Sequence, residues 1–445
     1  MASDLLSIAA SGARAARGAL DVTAQNIANA ASDGYVRRSA RMEEVSASGG
    51  LGRIGDISLS GVRIDGISRN ADMFRQAEVR RTNSDATRAA TELAGLQNIE
   101  SAVEQAGIFS AIVEFEGALR QLESDPVDLS LRAAVVASAE TMAGKFNIAA
   151  ESLSSAVAGA QFQAGAAVDE ANVIATELAR INVRLARAGA GSSDRASLLD
   201  QRDLMLERLS GITDTQTTFS ADGAVTVRVG GSTGPLLVSG GTPAALSMTL
   251  AADGTPSFAV GGTAVSPGGG ALAGHALALG QAVEIGAALD ELAADIAALV
   301  NGSQAGGAAL DGSAGQPLFT GSTAATLQTA FRDGRLLATA PAGSPGESRD
   351  ASQLIGLRSA LETGGLAERM NGIMFGISSR VAGHEITAEA LDAIAASARI
   401  SLEQQAGVDL DTEAANLIRY QQAFQASGRA MQVASDIFDT LIGIG

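Results

Sequence analysis

The stretch DLDTEAANLIRYQQAFQASGRAMQVASDIFDTLIGI, residues 409–444, decides the fold. Its largest apolar residues recur every seven positions, and a second set follows three places further on. The first set is Leu410, Leu417, Phe424, Met431 and Phe438, and the second is Tyr420, Ala434 and Leu441. Because a seven-residue repeat drifts by only ~20° per heptad on a helix, these side chains form one narrow stripe. The sequence therefore predicts a coiled-coil helix that another helix must cover.

The beginning of the chain carries a repeat with the same interval. Its members are Leu6, Ala13, Leu20 and Ile27, and Ala9, Ala16, Thr23 and Ala30 lie beside them. Such small residues let a second backbone approach closely but bury little apolar surface. At ~1.5–3 kcal/mol per large buried side chain, the pair barely offsets an ordering cost of ~1–2 kcal/mol per residue. We predict that the two chain ends pair and that neighbouring copies, stacked around an axis, cover the remaining apolar faces.

Composition excludes several classes of function. The 445 residues carry a formal net charge of −18, which argues against nucleic-acid binding, because that binding depends on Lys and Arg at phosphates. No cysteine is present, so disulfides and thiolate metal sites are excluded. No apolar run approaches the ~20 residues that span a bilayer, and the first residues do not form a cleaved signal peptide. Aromatic residues make up only 3%, which favours thin helical packing.

The order of patterns along the chain predicts four regions. Residues 1–38 and 408–445 form the terminal coiled coil, and residues 212–270 form a small β domain with turns at Asp222-Gly223 and Asp253-Gly254. The bundle helices are predicted to include one that is capped by Asn70 and one that runs from Leu354 to about Gly407. A helical bundle with a short β excursion at 51–68 occupies 39–211, 271–302 and 350–407, and 303–349 is loop-rich or a second β excursion.

Motifs that carry chemistry are incomplete. His384-Glu385 begins like a zinc-protease helix, but Ala388 stands where the second histidine is needed. The glycines of 230–234 lack the helix that a phosphate loop requires, and they predict a plain β turn. Asp409, Asp411 and Glu413 are predicted to be helix N-terminal charges rather than calcium ligands. We therefore predict no catalytic, metal or cofactor site.

Residues 26–38, NIANAASDGYVRR, resemble the N-terminal signature of the flagellar rod, hook and hook-associated proteins. In that signature an Asn-rich helix end leads into a turn, here Gly34-Tyr35, and then to a basic residue. Gly34 also predicts where the first helix ends. Further matches are LDQRD at 199–203, DGAVTV at 222–227, VDLDTEAANL at 408–417 and YQQAF at 420–424, and together they resemble the hook-associated members. Ala31-Ser32 departs from the signature, where a Thr or an Asn-Thr pair is common.

The resemblance implies a fold that is mainly α with β inserts: paired terminal helices, a long rod-like helical bundle and small outer β domains. It implies a structural subunit, not an enzyme, at the junction of hook and filament. Copies would form a ring through an interface that includes Gly34, Tyr35 and the two heptad stripes. The implied partners are the hook protein, the junction protein that follows, and an export chaperone on the C-terminal helix.

The resemblance also implies that the chain is exported through the flagellar type III channel to the outside of the cell. Since the chain is shorter than the longer family members, one outer domain is expected to be reduced or absent. Two alternatives remain open. One is another axial protein (hook, distal rod or filament-type subunit). A helical bundle on both sides of the β insert would favour the hook-associated members over this alternative. The other is a wall hydrolase carried on an axial scaffold.

Overall fold

A computed structural model describes residues 2–47 and 58–443 of the chain, with side chains described within 5–45 and 61–440. The fold is mainly α with β inserts, as predicted. The helices are α1 (Ala2–Ala28), α2 (Met73–Glu104), α3 (Ile108–Leu122), α4 (Leu129–Leu185), α5 (Ser193–Ile212), α6 (Gly270–Ala305), α7 (Ser352–Gly364), α8 (Leu366–Ala406) and α9 (Leu410–Gly443).

The two terminal helices, α1 and α9, pack against each other along their lengths, so the predicted pairing of the chain ends is confirmed. Small residues on α1 make this possible: Ala9, Ala13, Ala16 and Thr23 are buried. At Gly12 a Cβ atom would lie 3.0 Å from Ser427 Oγ on α9. The close approach of the two backbones therefore depends on small side chains.

A long antiparallel hairpin covers a second side of α1. Its strands are β1 (Arg38–Ala47) and β2 (Ser58–Arg69), with Arg38 opposite Arg69. The Ser11 hydroxyl accepts a hydrogen bond from the Val62 amide at 3.1 Å, and Gly18 lies against Ile64. The sequence predicted only a short excursion at 51–68. The paired strands start at Arg38, and residues 48–57 lie outside the described part.

The body above the coiled coil is a helical bundle. Helix α2 packs between α6 and α8, and α4, with 57 residues, is about 85 Å long. The main core of the bundle consists of apolar residues from α2, α3, α4, α6, α7 and α8 and from residues 318–337, and it includes Leu96, Phe115 and Leu292. Asp72 caps α2, where the sequence had predicted Asn70. Asn70 Nδ2 instead donates to the carbonyl of Gln405, across from the end of α8.

Two small antiparallel sheets lie against the second half of α4. The first has the order β3 (Thr215–Phe219), β4 (Val225–Val229), β5 (Leu236–Ser239), β6 (Thr242–Pro243), and the second β7 (Leu246–Leu250), β8 (Pro256–Val260), β9 (Thr263–Val265). Gly223 and Gly254 adopt positive φ angles in the predicted turns, each with φ 84°. The glycines of 230–234 lie in the turn between β4 and β5.

The strands in the loop-rich region after α6 are each two residues long. They are β10 (Gly307–Ala308), β11 (Phe319–Thr320), β12 (Gln328–Thr329) and β13 (Ala340–Pro341). Buried Arg132 on α4 anchors it, donating to the Leu337 carbonyl at 2.6 Å and to Thr339 Oγ1 at 2.6 Å. This region is therefore tied to the bundle through polar contacts as well as apolar ones.

Two helix ends differ from the sequence predictions. Helix α1 ends at Ala28, six residues before Gly34, because successive turns with i to i−3 hydrogen bonds replace the helix from Ala30 onward. Gly34 does take the predicted left-handed conformation, with φ 74°. The predicted helix from 354 to 407 is two helices, α7 and α8, because Gly365 breaks it at φ 56°.

Candidate assembly surface and its joint to the body

The heptad residues of α9 divide into covered and uncovered positions. Leu417, Tyr420 and Met431 are half-buried, and Ala434 is buried. Leu410, Phe424 and Phe438 are exposed, Phe438 by 50% of its surface. Leu441 belongs to α9, but its side chain lies outside the described side chains. Within one molecule, α1 covers only part of the stripe.

The heptad residues of α1 divide in the same way. Ala13 is buried and Leu20 is half-buried, whereas Leu6 and Ile27 are exposed. The reason is that α1 serves two neighbours: it packs on α9 and on the hairpin, and a second set of small residues at Ala15 and Ala19 is buried as well. The small residues therefore occupy both contacts of α1, and the large residues of its stripe remain exposed or half-buried.

More apolar side chains are exposed on the coiled coil than the heptads indicated. They are Leu5 and Ile8 on α1 and Ile418, Val433 and Ile437 on α9. Each lies beside a heptad position. Leu5 and Ile437 flank the stripe, and a wider stripe would have included them. Ile8, Ile418 and Val433 lie on the outer face of the two helices, about a third of a turn or more from the stripe. Together with the exposed heptad residues they form what we call the coil surface.

A buried polar cluster fixes the start of α9 to the end of α1. Glu413 is 1% exposed and accepts hydrogen bonds from Arg37 Nε at 2.8 Å and from Asn26 Nδ2 at 3.1 Å. Tyr35 donates its hydroxyl to Asn26 Oδ1 at 2.9 Å, and burial raises the pKa of Tyr35. Asp409 caps α9, as a helix N-terminal charge does, but Glu413 is an internal partner that the sequence did not reveal.

A second cluster joins the hairpin to α5 of the body. Asp200 accepts from Arg38 Nη2 at 2.8 Å and pairs with Arg69 at 2.7 Å, and Arg69 also reaches Asp203 at 2.9 Å. Arg202 pairs with Asp203 at 2.5 Å. These side chains are at most about a tenth exposed. We call the two clusters the joint, because they connect the coiled coil to the body.

Gly34 and Tyr35 both lie at the joint. Gly34 faces Leu204 of α5, 3.2 Å from a Cβ built on the glycine, and Arg38 lies over the Tyr35 ring at 4.9 Å. The structure thus brings this predicted pair together with the body, whereas the two heptad stripes extend away along the coil.

Other polar candidates form no reactive constellation in the described residues. His384 Nδ1 lies 3.6 Å from Glu92 Oε2 on α2. Among residues 2–47 and 58–443, no three or more His, Asp or Glu side chains are arranged to hold a metal ion. In the same part of the chain, no helix combines the length and apolar character needed to traverse a bilayer.

Paired terminal helices that leave apolar side chains exposed, joined to a turn whose residues 26–38 resemble the axial-protein signature, place the chain in the class of flagellar axial proteins. The family model described as "Flagellar basal body rod FlgEFG protein C-terminal" matches residues 403–444, which contain α9. The model described as "Flagellar hook-associated protein FlgK helical domain" matches residues 93–319, just over half of the chain. The chain therefore belongs to the FlgK family of flagellar hook-associated proteins.

Individual relatives agree with this family. Flagellar hook-associated protein 1 of Bacillus subtilis is 26% identical over 220 residues, 47% of this chain and 43% of the relative. The Escherichia coli protein of that name is 26% identical over 246 residues, 54% of this chain and 44% of the relative. The alignments thus span less than half of these relatives.

A solved structure shares the fold. It is that of the flagellar hook junction protein FlgK from Burkholderia pseudomallei, with a TM-score of 0.64 and 15% sequence identity. The match covers 74% of this chain and 99% of that chain. The likeness confirms the mainly helical architecture with small β inserts.

Proposed function

We propose that the chain is a structural subunit of the bacterial flagellum that joins the hook to the filament. Copies assemble side by side around the flagellar axis, through their terminal helices. Membership of the FlgK family supports this function, and the hook-junction description of the Burkholderia structure agrees with it. The proposal assigns no catalysis and no cofactor to the chain.

The coil surface is the observation that carries the proposal. Exposed large apolar side chains occur along the whole of α9, from Leu410 through Phe424 to Phe438, and on α1 at Leu6 and Ile27. Large apolar side chains exposed in this number along one helix mark a site of association. Its length, about 50 Å for the 34 residues of α9, fits a neighbouring coiled coil better than a small ligand.

The same surface supports the proposed partners. In the assembled flagellum, the hook protein contacts one end of the ring and the following junction protein contacts the other. Because α1 is the principal partner of α9, α9 is unsheltered whenever α1 is not folded against it. An export chaperone that holds α9 before secretion would cover it, in keeping with an extracellular location.

A second candidate is another axial protein, such as a hook, distal rod or filament-type subunit. The match of residues 403–444 to the rod-protein model favours it, because that segment is shared more widely than the helical domain. The FlgK helical-domain match, together with bundle helices on both sides of the β sheets, favours the junction.

Deletion of the gene tests the proposal. We expect cells with hooks that carry no filaments and with filament subunits released into the medium, and restoration by the wild-type gene. Electron microscopy of the cells and immunoblots of the medium measure both. Filaments of normal number and attachment on the deleted strain would overturn the junction function. Loss of hooks as well would point to the second candidate.

A further inference from the structure

A cavity of about 500 Å³ lies at the joint, where α2, α5 and α8 meet the turn after α1. Its wall combines apolar and charged side chains. The apolar ones are Val36, Val79, Leu204, Leu402 and Ala406, and the charged ones are Asp33, Arg80, Asp203, Glu207, Arg208, Arg399 and Glu403. A cavity of roughly 150 Å³ already admits a benzene ring. This cavity therefore has room for a large apolar side chain from outside the molecule.

Arg80 lines this cavity with an incompletely partnered charge. The residue is only 7% exposed, and its described hydrogen bond is a long one, from Nη2 to Thr217 Oγ1 at 3.4 Å. Among the described residues, no carboxylate lies within ion-pair distance of it. Asp203 and Glu207 line the same cavity and stabilise the Arg80 charge from beyond ion-pair distance. The face of an aromatic ring is a further group that stabilises a buried cation.

An aromatic side chain is presented by the same helix on its other side. Phe74, near the start of α2, is 82% exposed, and Met73 next to it is exposed as well. At 100° per residue, Phe74 lies roughly half a turn from the cavity-lining Val79 and Asn83. Along the helix axis it is only about 10 Å from them. A protruding ring and a cavity thus occupy opposite sides of one molecule at nearly one height.

We propose that Phe74 of one copy inserts into the joint cavity of the next copy, with its ring against Arg80. The inference rests on the proposed function, since it requires copies that stand side by side. The contact is heterologous, joining two different surfaces, so its repetition generates a ring or a helix rather than a closed dimer. It continues the coil surface onto the body, because the joint lies directly above the coiled coil.

Cysteine crosslinking tests the contact, since the chain has no native cysteine. Ala77→Cys places a thiol on the exposed side of α2 beside Phe74, and Glu403→Cys places one at the cavity rim. Purified chains with one substitution each are mixed, allowed to assemble and treated with a short bismaleimide. We expect covalent dimers in the mixture and none with either variant alone. Assemblies that yield no mixed dimer would overturn the inference and leave the junction function standing.

Single substitutions give a second test of the proposed contact. Phe74→Ala should raise the concentration needed for assembly about tenfold or more, because it removes the aromatic side chain that the proposed contact buries. The matched control is Phe162→Ala on α4, a side chain 79% exposed and far from the joint, which should leave assembly unchanged. Arg80→Met should weaken assembly while the melting temperature of the monomer holds or rises.

Equal effects of Phe74→Ala and Phe162→Ala on assembly would overturn the inference. So would an Arg80→Met monomer that melts lower than the wild type while assembling normally, because Arg80 would then serve only the fold. A wild-type chain that never assembles would remove the proposed function and this contact together.

Discussion

Glu413 is the residue on which the attachment of α9 depends. It is almost wholly buried and bonded to Arg37 and Asn26. Glu413→Ala therefore leaves the partly buried Arg37 guanidinium without this acceptor, while Asn26 Nδ2 retains the Arg38 carbonyl at 2.8 Å. Removing one member of such a pair costs several kcal/mol when both are buried, and the partial exposure of Arg37 reduces this. We predict a loss of about 2 kcal/mol, measured by denaturant unfolding.

The control for Glu413 is Asp411→Asn, two residues earlier in the first turn of α9. Asp411 is exposed, so the loss of its charge should cost at most about 0.5 kcal/mol through the helix dipole. If Glu413→Ala were no more destabilising than Asp411→Asn, the buried cluster would not be what attaches α9.

His275 gives the chain a stability that depends on pH. Burial lowers its pKa below the ordinary 6.5, so the folded protein holds a neutral imidazole. The unfolded chain binds the proton more readily, and the stability contributed at neutral pH is lost as the pH falls through 6.5 toward the lowered pKa. We predict that His275→Gln flattens the fall of melting temperature between about pH 7.5 and 5.5.

The other histidine supplies the comparison for this test. His384→Gln, at a half-buried position of α8 with Nδ1 3.6 Å from Glu92 Oε2, is melted over the same pH range so that the effects of the two imidazoles are separated. Identical slopes for the wild type and His275→Gln would show that the buried imidazole does not contribute.

At the scale of elements, the α1–α9 contact depends on how close two backbones come. A methyl group at Gly12 meets Ser427 Oγ at 3.0 Å, whereas one at Gly428 meets nothing within 4 Å. Since alanine is a better helix former than glycine by up to about 1 kcal/mol, Gly428→Ala should stabilise the coiled coil. Gly12→Ala should gain less, or lose stability, because Ser427 must move.

A double-variant cycle isolates this contact. Ser427→Ala removes the hydroxyl that crowds Gly12, so Gly12→Ala should gain more stability in that background than alone. Thermal melts followed by circular dichroism give the four values. Strictly additive effects would mean that the two helices are not in close contact at this point.

Elements whose apolar residues repeat at a fixed interval could be predicted from the sequence, and contacts without such a repeat could not. The repeat of Leu410, Leu417 and Phe424 indicated the paired ends, because one helix face must be covered whatever the rest of the fold does. The joint could not be predicted, because its residues follow no repeat. Asn26 and Glu413 are 387 positions apart, and single polar residues at that separation leave no pattern in a sequence.

Local competition explains the misplaced boundaries. Asn70 is a good capping residue, but Asp72 takes the cap and frees Asn70 to donate to the end of α8. Gly34 marked the end of a motif rather than of a helix, since the motif's turns occupy the five residues 29–33 between the helix and Gly34. A tertiary contact accompanies the first difference, whereas successive local turns account for the second.

At the scale of the whole molecule, the body and the coiled coil differ in how completely they bury their large apolar side chains. The body has an extensive core of fully buried side chains, such as Leu96, Phe115 and Phe146. The coiled coil has mainly small buried residues and exposes its large ones, such as Leu410 and Phe438. A monomer of this design is stable in its body and marginal in its ends, and assembly supplies the missing burial.

This difference predicts two classes of amide exchange. In dilute monomer, amides of residues 1–35 and 409–445 should exchange fast, because local opening of α1 and α9 exposes little further apolar surface. Amides in the middle of α4 should exchange slowly in the same sample. On assembly the terminal amides should become protected while those of α4 change little. Mass spectrometry at two protein concentrations measures both, and slow terminal exchange already in micromolar monomer would contradict folding that is coupled to assembly.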